Sequence, residues 1–320
     1  MPAQKLVILD GYTLNPGDLS WDEFQNILPE VEIHERTAPD EVLARCAGAS
    51  IVLTNKTRLP AEVIQALPGL KFIGVLATGF DVVDAKAARA CGIPVSNVPA
   101  YSTFSVVQMV FGFILNWTNG IAHHADRVRE GAWAASKDFA FWDFPLHELE
   151  GKTLGIVGFG RIGQQVGKIA NAFGMKVAAV VRSPKSVDYP VAFVTMEEIF
   201  SDSDFVCLLC PLTPETRGLA NSARIRTMKK TAYLINTARG PVVVEEDLAA
   251  ALNEGMIAGA AADVLSAEPP PASNPLLTAK NMVITPHFAW ATVEARQRLM
   301  NVSLANVRAF LEGSPKNVVN

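Results

Sequence analysis

Three ionisable side chains, Arg239, Glu268 and His287, each follow an apolar run that predicts a strand. Imidazole is a natural proton donor near neutral pH, and a carboxylate paired with it favours its protonated form. A guanidinium binds a carboxylate through two parallel hydrogen bonds. The trio therefore fits hydride transfer to a carbonyl, in which the oxygen gains negative charge and needs both a proton and a cation.

Each of these residues also has an ordinary interpretation. Arg239 fits a surface ion pair, Glu268 a loop charge and His287 a helix cap. Their joint placement favours the chemical interpretation, because the carboxyl ends of parallel strands share the edge of a sheet at which nucleotides bind.

A glycine-rich hexapeptide, Gly158-Phe159-Gly160-Arg161-Ile162-Gly163, follows an apolar run and opens a helical pattern; a second apolar run follows at 177–181. In such a strand–helix–strand unit Gly158 allows the tight turn, Gly160 lets the backbone approach a pyrophosphate, and Gly163 lets helix and strand pack closely. The free N–H groups at the helix start then face the phosphates. The pattern predicts a dinucleotide site, the alternative being a glycine-rich turn of another α/β protein.

The end of the second strand bears on which dinucleotide binds. NAD sites place an acidic residue about 20 residues beyond the glycines, where it binds the ribose 2′-OH. Here that position falls near Val181, followed by Arg182, Ser183 and Lys185, and the next acid is Asp188. Cations with a nearby hydroxyl suit a 2′-phosphate. We therefore expect NADP(H) to be preferred and NAD(H) to be possible, although ordinary solvated loop charges would give the same pattern.

The composition excludes several classes of function. With 320 residues, a formal charge of −4 and a pI near 5.8, the chain predicts about two domains and no nucleic-acid or membrane partner. The N-terminus lacks a secretory signal, which predicts a cytoplasmic protein.

Residues 101–122 carry no charge, but their amides and hydroxyls favour a buried helix over a bilayer span. Cys207 and Cys210 lie in or next to an apolar run, which predicts reduced thiols, and no metal site is expected.

Apolar runs alternate with helical patterns through most of the chain, which predicts an α/β protein with parallel sheets. A turn at Ala77, Thr78 and Gly79 follows one predicted strand, where free N–H groups suit a small carboxylate; a plain strand-to-helix turn would look the same. Residues 127–149 are rich in aromatic side chains, which we expect a second copy of the protein to cover, with the edge of the substrate pocket as the other interpretation.

The sequence resembles the D-isomer-specific 2-hydroxyacid dehydrogenases over almost the whole chain. The resemblance rests on the glycine hexapeptide, on Asn236-Thr237-Ala238-Arg239-Gly240, on Asp263-Val264 with Glu268-Pro269, and on Thr285-Pro286-His287. It implies that Arg239, Glu268 and His287 are the catalytic set, with Arg239 also binding substrate.

The resemblance also implies a domain organisation and further contacts. A nucleotide domain at residues 98–288 would be inserted into a discontinuous substrate-binding domain, residues 1–97 and 289–320, giving two Rossmann-like domains with parallel sheets, and two chains would form a homodimer. Ala77, Thr78 and Gly79 correspond to the carboxylate-binding turn of the family. The cofactor contacts implied beyond the hexapeptide and the Arg182 region are Thr103, Cys210, Pro211, Thr237, Ala238 and Asp263.

Within the family, residues 10–17, 54–57 and 141–143 look closest to glycerate dehydrogenases, also called hydroxypyruvate or glyoxylate reductases. The departure is Val181-Arg182, where many relatives carry an Asp that selects NAD. The leading hypothesis is an NADPH-preferring reductase of small 2-oxoacids, glyoxylate and hydroxypyruvate first. The alternatives are another substrate, such as a bulkier 2-oxoacid, phosphoglycerate, formate or phosphite, or a nucleotide-sensing binding protein like the co-repressors of this fold. Lys56 is either an extra cation near the substrate or an exposed lysine.

Overall fold

The computed structural model of the chain describes residues 5–183 and 185–320. They form two compact units, one of residues up to Ser102 with Trp290–Asn320 and the other of Thr103–Ala289. Each unit has its own parallel sheet and hydrophobic core. The α/β class with two parallel sheets is thus confirmed. The domain functions, with boundaries expected at 97/98 and 288/289, stay a prediction.

The first unit is a parallel sheet with helices packed on it. Its elements are β1 Lys5–Ile8, α1 Asp22–Gln25, β2 Glu30–Ile33, α2 Val42–Arg45, β3 Ile51–Thr54, α3 Ala61–Gln65, β4 Phe72–Val75, α4 Ala85–Ala90, β5 Val95–Ser96 and, from the C-terminal part, α11 Val293–Leu311. The five strands have the order β2-β1-β3-β4-β5. Because helices cover both faces, β3 and β4 are buried at every residue, which is why they read as continuous apolar runs.

The second unit contains the larger sheet. Its elements are α5 Thr103–Asn119, α6 Ile121–Arg129, β6 Thr153–Val157, α7 Arg161–Ala172, β7 Lys176–Val180, β8 Ala192–Phe193, α8 Met196–Asp202, β9 Phe205–Leu208, α9 Ser222–Ile225, β10 Tyr233–Asn236, α10 Glu245–Asn253, β11 Gly259–Ala262 and β12 Met282–Ile284. Its seven parallel strands have the order β12-β11-β10-β9-β6-β7-β8. One hydrophobic cluster lies on each face, with α5 and α7 on one side and α8, α9 and α10 on the other.

The strand order of this sheet reverses between β6 and β9. From β6 the chain moves outward through β7 and β8, then returns to β9 and moves the other way to β12. Ligands of open parallel sheets bind at the carboxyl ends of the strands beside such a switch point. The glycine hexapeptide follows β6, and the loops of Arg239, Glu268 and His287 follow β10, β11 and β12. All four segments therefore lie along one edge of one sheet.

The uncharged stretch 101–122, expected to be one buried helix, is instead two helices. Gly120 adopts φ +54°, a left-handed conformation that ends α5 before α6 begins. Within residues 5–183 and 185–320, no single helix is long and apolar enough to cross a membrane. Helices α5 and α6 together have the length and the apolar composition of a membrane span, but they form a pair bent by 54°. The side chains of α5 pack largely into the core of the second unit. The cytoplasmic location stays a prediction.

Candidate active site

The structure brings two of the three predicted catalytic residues into direct contact. His287 Nδ1 lies 2.6 Å from Glu268 Oε2, and Glu268 Oε1 accepts the N–H of Leu265 at 3.0 Å. The contact at Nδ1 orients the ring. His287 Nε2, which has no hydrogen-bond partner within the described chain, is left to meet a ligand. The side chains are 24% and 35% exposed, so the pair can hold a proton at Nε2 where a ligand can reach it.

Asp263 shapes the backbone that carries His287. Its carbonyl accepts the N–H of His287 at 2.8 Å, and its carboxylate accepts those of Phe288 and Ala289 at 3.0 and 2.9 Å. The Thr285 hydroxyl donates to the same carboxylate at 2.6 Å. These contacts hold His287 at φ +53°, a left-handed conformation uncommon for residues other than glycine. Burial raises the pKa of the Asp263 carboxyl above its ordinary value, and the hydrogen bonds it accepts oppose that rise.

Arg239 lies in a loop that Asn236 folds and that touches the loop of Glu268. Asn236 Oδ1 accepts the N–H of Ala238, and its Nδ2 donates to the Arg239 carbonyl, both at 3.0 Å. At Gly240 an added Cβ would lie 2.0 Å from the backbone of Leu265, so only glycine permits the approach. The Arg239 guanidinium is exposed and donates to the Ala238 carbonyl at 2.7 Å; no carboxylate of residues 5–183 or 185–320 pairs with it. It is available to an anionic ligand.

Two buried polar side chains that no sequence motif singled out anchor the loop of Glu268. Glu245 begins α10, and its oxygens accept the N–H of Ser266 at 2.6 Å and the Nδ2 of Asn274 at 2.8 Å. Asn274 Oδ1 in turn accepts the N–H of Leu276 at 3.0 Å. In the sequence, Glu245 is one of three acids in the first turn of a helix, a common preference that gives no sign of burial.

The glycines of the hexapeptide differ in what surrounds them. A Cβ added to Gly158, whose φ is +102°, would lie 2.5 Å from the backbone N of Cys210, and one added to Gly163 would lie 2.4 Å from the Gly158 carbonyl oxygen. Those two glycines are required by packing. A Cβ at Gly160 would meet no described atom within 4 Å, so the space beside it, at the N-terminus of α7, is open to a ligand. This cradle fits a pyrophosphate.

The end of β7 carries the predicted cofactor-selecting residues. Arg182, Ser183 and Lys185 are exposed, and Pro184 lies outside the described residues. Asp188, the next acid, is bound by Lys168 of α7 at 2.6 Å. It is therefore already paired with a cation and does not take the position at the end of β7 where an NAD-selecting acid lies.

The remaining predicted cofactor residues fall into three groups. Phe159 has its side chain in the core, whereas Arg161 is exposed and Ile162 half-buried on α7. Cys210, which is buried, and Pro211, which is exposed, follow β9. The others are buried or partly buried at element ends: Thr103 at the start of α5, and Thr237 and Ala238 after β10. The Thr237 hydroxyl is buried without a hydrogen-bond partner in the described structure, so it is free to meet a ligand group.

In the first unit, the turn after β4 presents unpaired backbone N–H groups. The Thr78 hydroxyl donates to the Val98 carbonyl at 2.8 Å, and Asn97 Nδ2 donates to the Thr78 carbonyl at 2.7 Å. The N–H groups of Ala77, Thr78 and Gly79 donate to no acceptor in the part of the chain that is described. Three consecutive free donors suit a carboxylate. Lys56 is exposed on the neighbouring loop.

The cysteines are free thiols. Cys46, Cys207 and Cys210 are buried and Cys91 is exposed. Burial raises the pKa of Cys207 and of Cys210, which disfavours the reactive thiolate. Among the described residues no group of His, Cys, Asp or Glu is placed to hold a metal ion.

The chain is similar to known proteins over nearly its whole length. The family model described as D-isomer specific 2-hydroxyacid dehydrogenase, NAD binding domain, matches residues 111–289. The chain belongs to this family. It is 48% identical to the hydroxypyruvate reductase of Blautia hydrogenotrophica and 41% identical to the glycerate dehydrogenase of Methylorubrum extorquens, with 99% of each chain covered in both cases. An NADPH-dependent glyoxylate/hydroxypyruvate reductase from Sinorhizobium meliloti, solved with NADP and malonate, matches with a TM-score of 0.84 at 27% identity, covering 99% of this chain and 97% of that one.

The resemblance inferred from the motifs is therefore confirmed. As a D-2-hydroxyacid dehydrogenase, the protein is an oxidoreductase that acts on a CH–OH group and uses a nicotinamide dinucleotide. The edge of the larger sheet that carries the glycine hexapeptide also carries the His287–Glu268 pair.

Proposed function

We propose that this dehydrogenase is an NADPH-preferring reductase of small 2-oxoacids, glyoxylate and hydroxypyruvate first, giving glycolate and D-glycerate. The observation that carries the proposal is the 2.6 Å contact between His287 Nδ1 and Glu268, with Nε2 unpaired in the described chain, next to a loop that presents an exposed guanidinium. The activities after which the two relatives and the Sinorhizobium meliloti enzyme are named support this substrate class.

In this proposal each residue has a defined task. The bound nicotinamide supplies the hydride. His287 gives its Nε2 proton to the carbonyl oxygen as that oxygen becomes negative, and Glu268 stabilises the imidazolium before the transfer. Arg239 binds the substrate carboxylate, and its positive charge stabilises the negative charge that develops on the carbonyl oxygen. That the unpaired N–H groups of residues 77–79 in the first unit bind a carboxylate stays a prediction from the sequence.

The preference for NADPH rests on the charges at the end of β7. Arg182, Ser183 and Lys185 can bind a 2′-phosphate, and Asp188 is held by Lys168. Glu215 lies within electrostatic reach of the same arginine: a hydrogen bond from Thr213 is the main cause that lowers the pKa of Glu215, and the Arg182 charge contributes. Glu215 is therefore an acid near Arg182, and an acid in this region can accept a hydrogen bond from the ribose 2′-OH of NADH. For this reason we expect NADH to bind more weakly than NADPH but still to bind.

The experiment is a measurement of initial rates with glyoxylate and hydroxypyruvate, with NADPH and NADH run side by side. We expect rapid NADPH oxidation and a clear preference over NADH, which Arg182→Ala reduces by about tenfold, the effect of losing one charge-assisted contact. Arg89→Ala, an exposed arginine of the first unit, is the matched control. Equal rates with both cofactors, or an unchanged preference in Arg182→Ala, would refute the cofactor assignment. Absence of turnover would favour a bulkier 2-oxoacid or the nucleotide-sensing binding protein.

The partner that we propose is a second copy of the same chain. Phe139 is 94% exposed, and Trp133 and Trp142 are also largely exposed. The segment is nevertheless ordered by its own contacts, since Trp133 Nε1 donates to the Phe139 carbonyl at 3.0 Å and Asp143 accepts from Arg127 at 3.1 Å. An ordered apolar surface of this kind is typical of a homodimer interface.

A further inference from the structure

The loop that presents Glu268 is fixed at both of its ends by one buried carboxylate. Glu245, 9% exposed, accepts the N–H of Ser266 at 2.6 Å with Oε1 and the Nδ2 of Asn274 at 2.8 Å with Oε2. Ser266 lies two residues before Glu268, and Asn274 lies six residues after it. One side chain from the start of α10 thus spans the loop that holds the partner of His287.

The burial of Glu245 explains why both of its hydrogen bonds matter. A buried carboxylate is costly unless its oxygens accept hydrogen bonds, and here each oxygen accepts one. Gly240 packs on the same stretch of backbone, so closely that an added Cβ would lie 2.1 Å from the Leu265 carbonyl oxygen. The segment at 265–266 is therefore in contact with both Glu245 and Gly240.

We propose that Glu245 is a positioning residue for the acid–base pair. It sets the backbone at 265–266, whose Leu265 N–H binds one oxygen of Glu268 and so leaves the other oxygen to His287. Glu245 touches neither substrate nor cofactor in this role. The inference rests on the proposed function, in which His287 and Glu268 act together on the substrate oxygen.

The test compares Glu245→Gln with Glu246→Gln, a change of the same kind at the neighbouring exposed residue of α10. In Glu245→Gln one amide oxygen still accepts a hydrogen bond, but the amide NH₂ faces the other donor, so one anchor is lost. We expect kcat for oxoacid reduction to fall by at most about 5- to 30-fold, because a residue that acts through Glu268 cannot cost more than loss of the charged Glu268–His287 contact itself. The dissociation constant of NADPH and the KM for the oxoacid are expected to stay unchanged, and Glu246→Gln to match the wild type in all three.

A double-mutant cycle separates positioning from general destabilisation. If Glu245 acts through Glu268, then Glu245→Gln added to Glu268→Gln causes no further loss of kcat, because the contact between a carboxylate and the imidazole is already lost. Additive losses, or wild-type kcat in Glu245→Gln, would overturn the inference. If Glu268→Gln alone had wild-type kcat, the proposed function of the pair would fail and the role of Glu245 with it. Should Glu245→Gln not fold, Asn274→Ala removes one of the same two contacts while the carboxylate stays, and the same loss of kcat is expected.

Discussion

Replacing Glu268 by Gln changes the proposed acid–base pair, and the neighbouring hydrogen bonds determine how the new side chain is oriented. The Leu265 N–H donates to Glu268 Oε1 at 3.0 Å, so the amide oxygen of a Gln takes that position. The amide NH₂ then stands where Oε2 lies, 2.6 Å from His287 Nδ1, and donates to it. An imidazole that accepts at Nδ1 is neutral. The substitution therefore turns a contact that favours the protonated ring into one that favours the neutral ring.

The size of the effect follows from the kind of contact and its exposure. A hydrogen bond to a charged group contributes about 1.5–3 kcal/mol. Because the two side chains are 24% and 35% exposed, water replaces part of that interaction, and about 1–2 kcal/mol remains. This energy corresponds to a loss of about 5- to 30-fold in kcat/KM for the reduction.

The assay is kcat/KM for glyoxylate reduction with NADPH at a fixed pH. Glu268→Gln is expected to lower kcat/KM about 5- to 30-fold. Glu254→Gln, at an exposed site at the end of α10, is the control and is expected to leave kcat/KM unchanged. A wild-type kcat/KM in Glu268→Gln would refute the role of the contact.

Two further predictions concern the cofactor and the second copy. In Gly160→Ala the added Cβ meets nothing in the described structure, so we expect an unchanged melting temperature. The dissociation constant of NADPH is expected to rise about tenfold or more, because the added methyl group takes the space of the phosphates and a hydrogen bond to them is lost. Gly112→Ala, an equally open site on α5, is the control, and NADPH affinity equal to that of the wild type in Gly160→Ala would contradict the pyrophosphate assignment. Sedimentation of the wild type is expected to give twice the mass of the 34.4 kDa chain. In the double variant Phe139→Ser/Trp142→Ser we expect the mass to shift toward that of a single chain. A wild type that sediments as a single chain would exclude the dimer.

Much of the larger sheet, and the position of the candidate site residues at its strand ends, could be predicted from the sequence, because local patterns indicate both. Buried parallel strands read as apolar runs, and Gly158 and Gly163 are fixed by close packing that any side chain would disturb. The expected placement of Arg239, Glu268 and His287 at strand ends follows from the same pattern, because consecutive parallel strands end at one edge.

Features that depend on distant contacts were not readable. Gly120 breaks the uncharged stretch into two helices, although a lone glycine inside an apolar pattern does not by itself predict a break. The two-residue strand β8 has exposed side chains and no period to detect. Glu245 looks like an ordinary acid in the first turn of a helix, and only the fold brings Ser266 and Asn274 to its oxygens.

His287 occupies a backbone conformation that most side chains avoid, and three successive N–H contacts to Asp263 keep it there. Glycine would adopt the same conformation without strain, and strained positions of this kind persist where the surroundings over-determine them. Asp263 therefore fixes the direction in which the imidazole leaves the backbone, while Glu268 fixes the rotation of its ring. The position of His287 Nε2 thus depends on two carboxylates of the segment that follows β11, one buried beneath the backbone and one beside the ring.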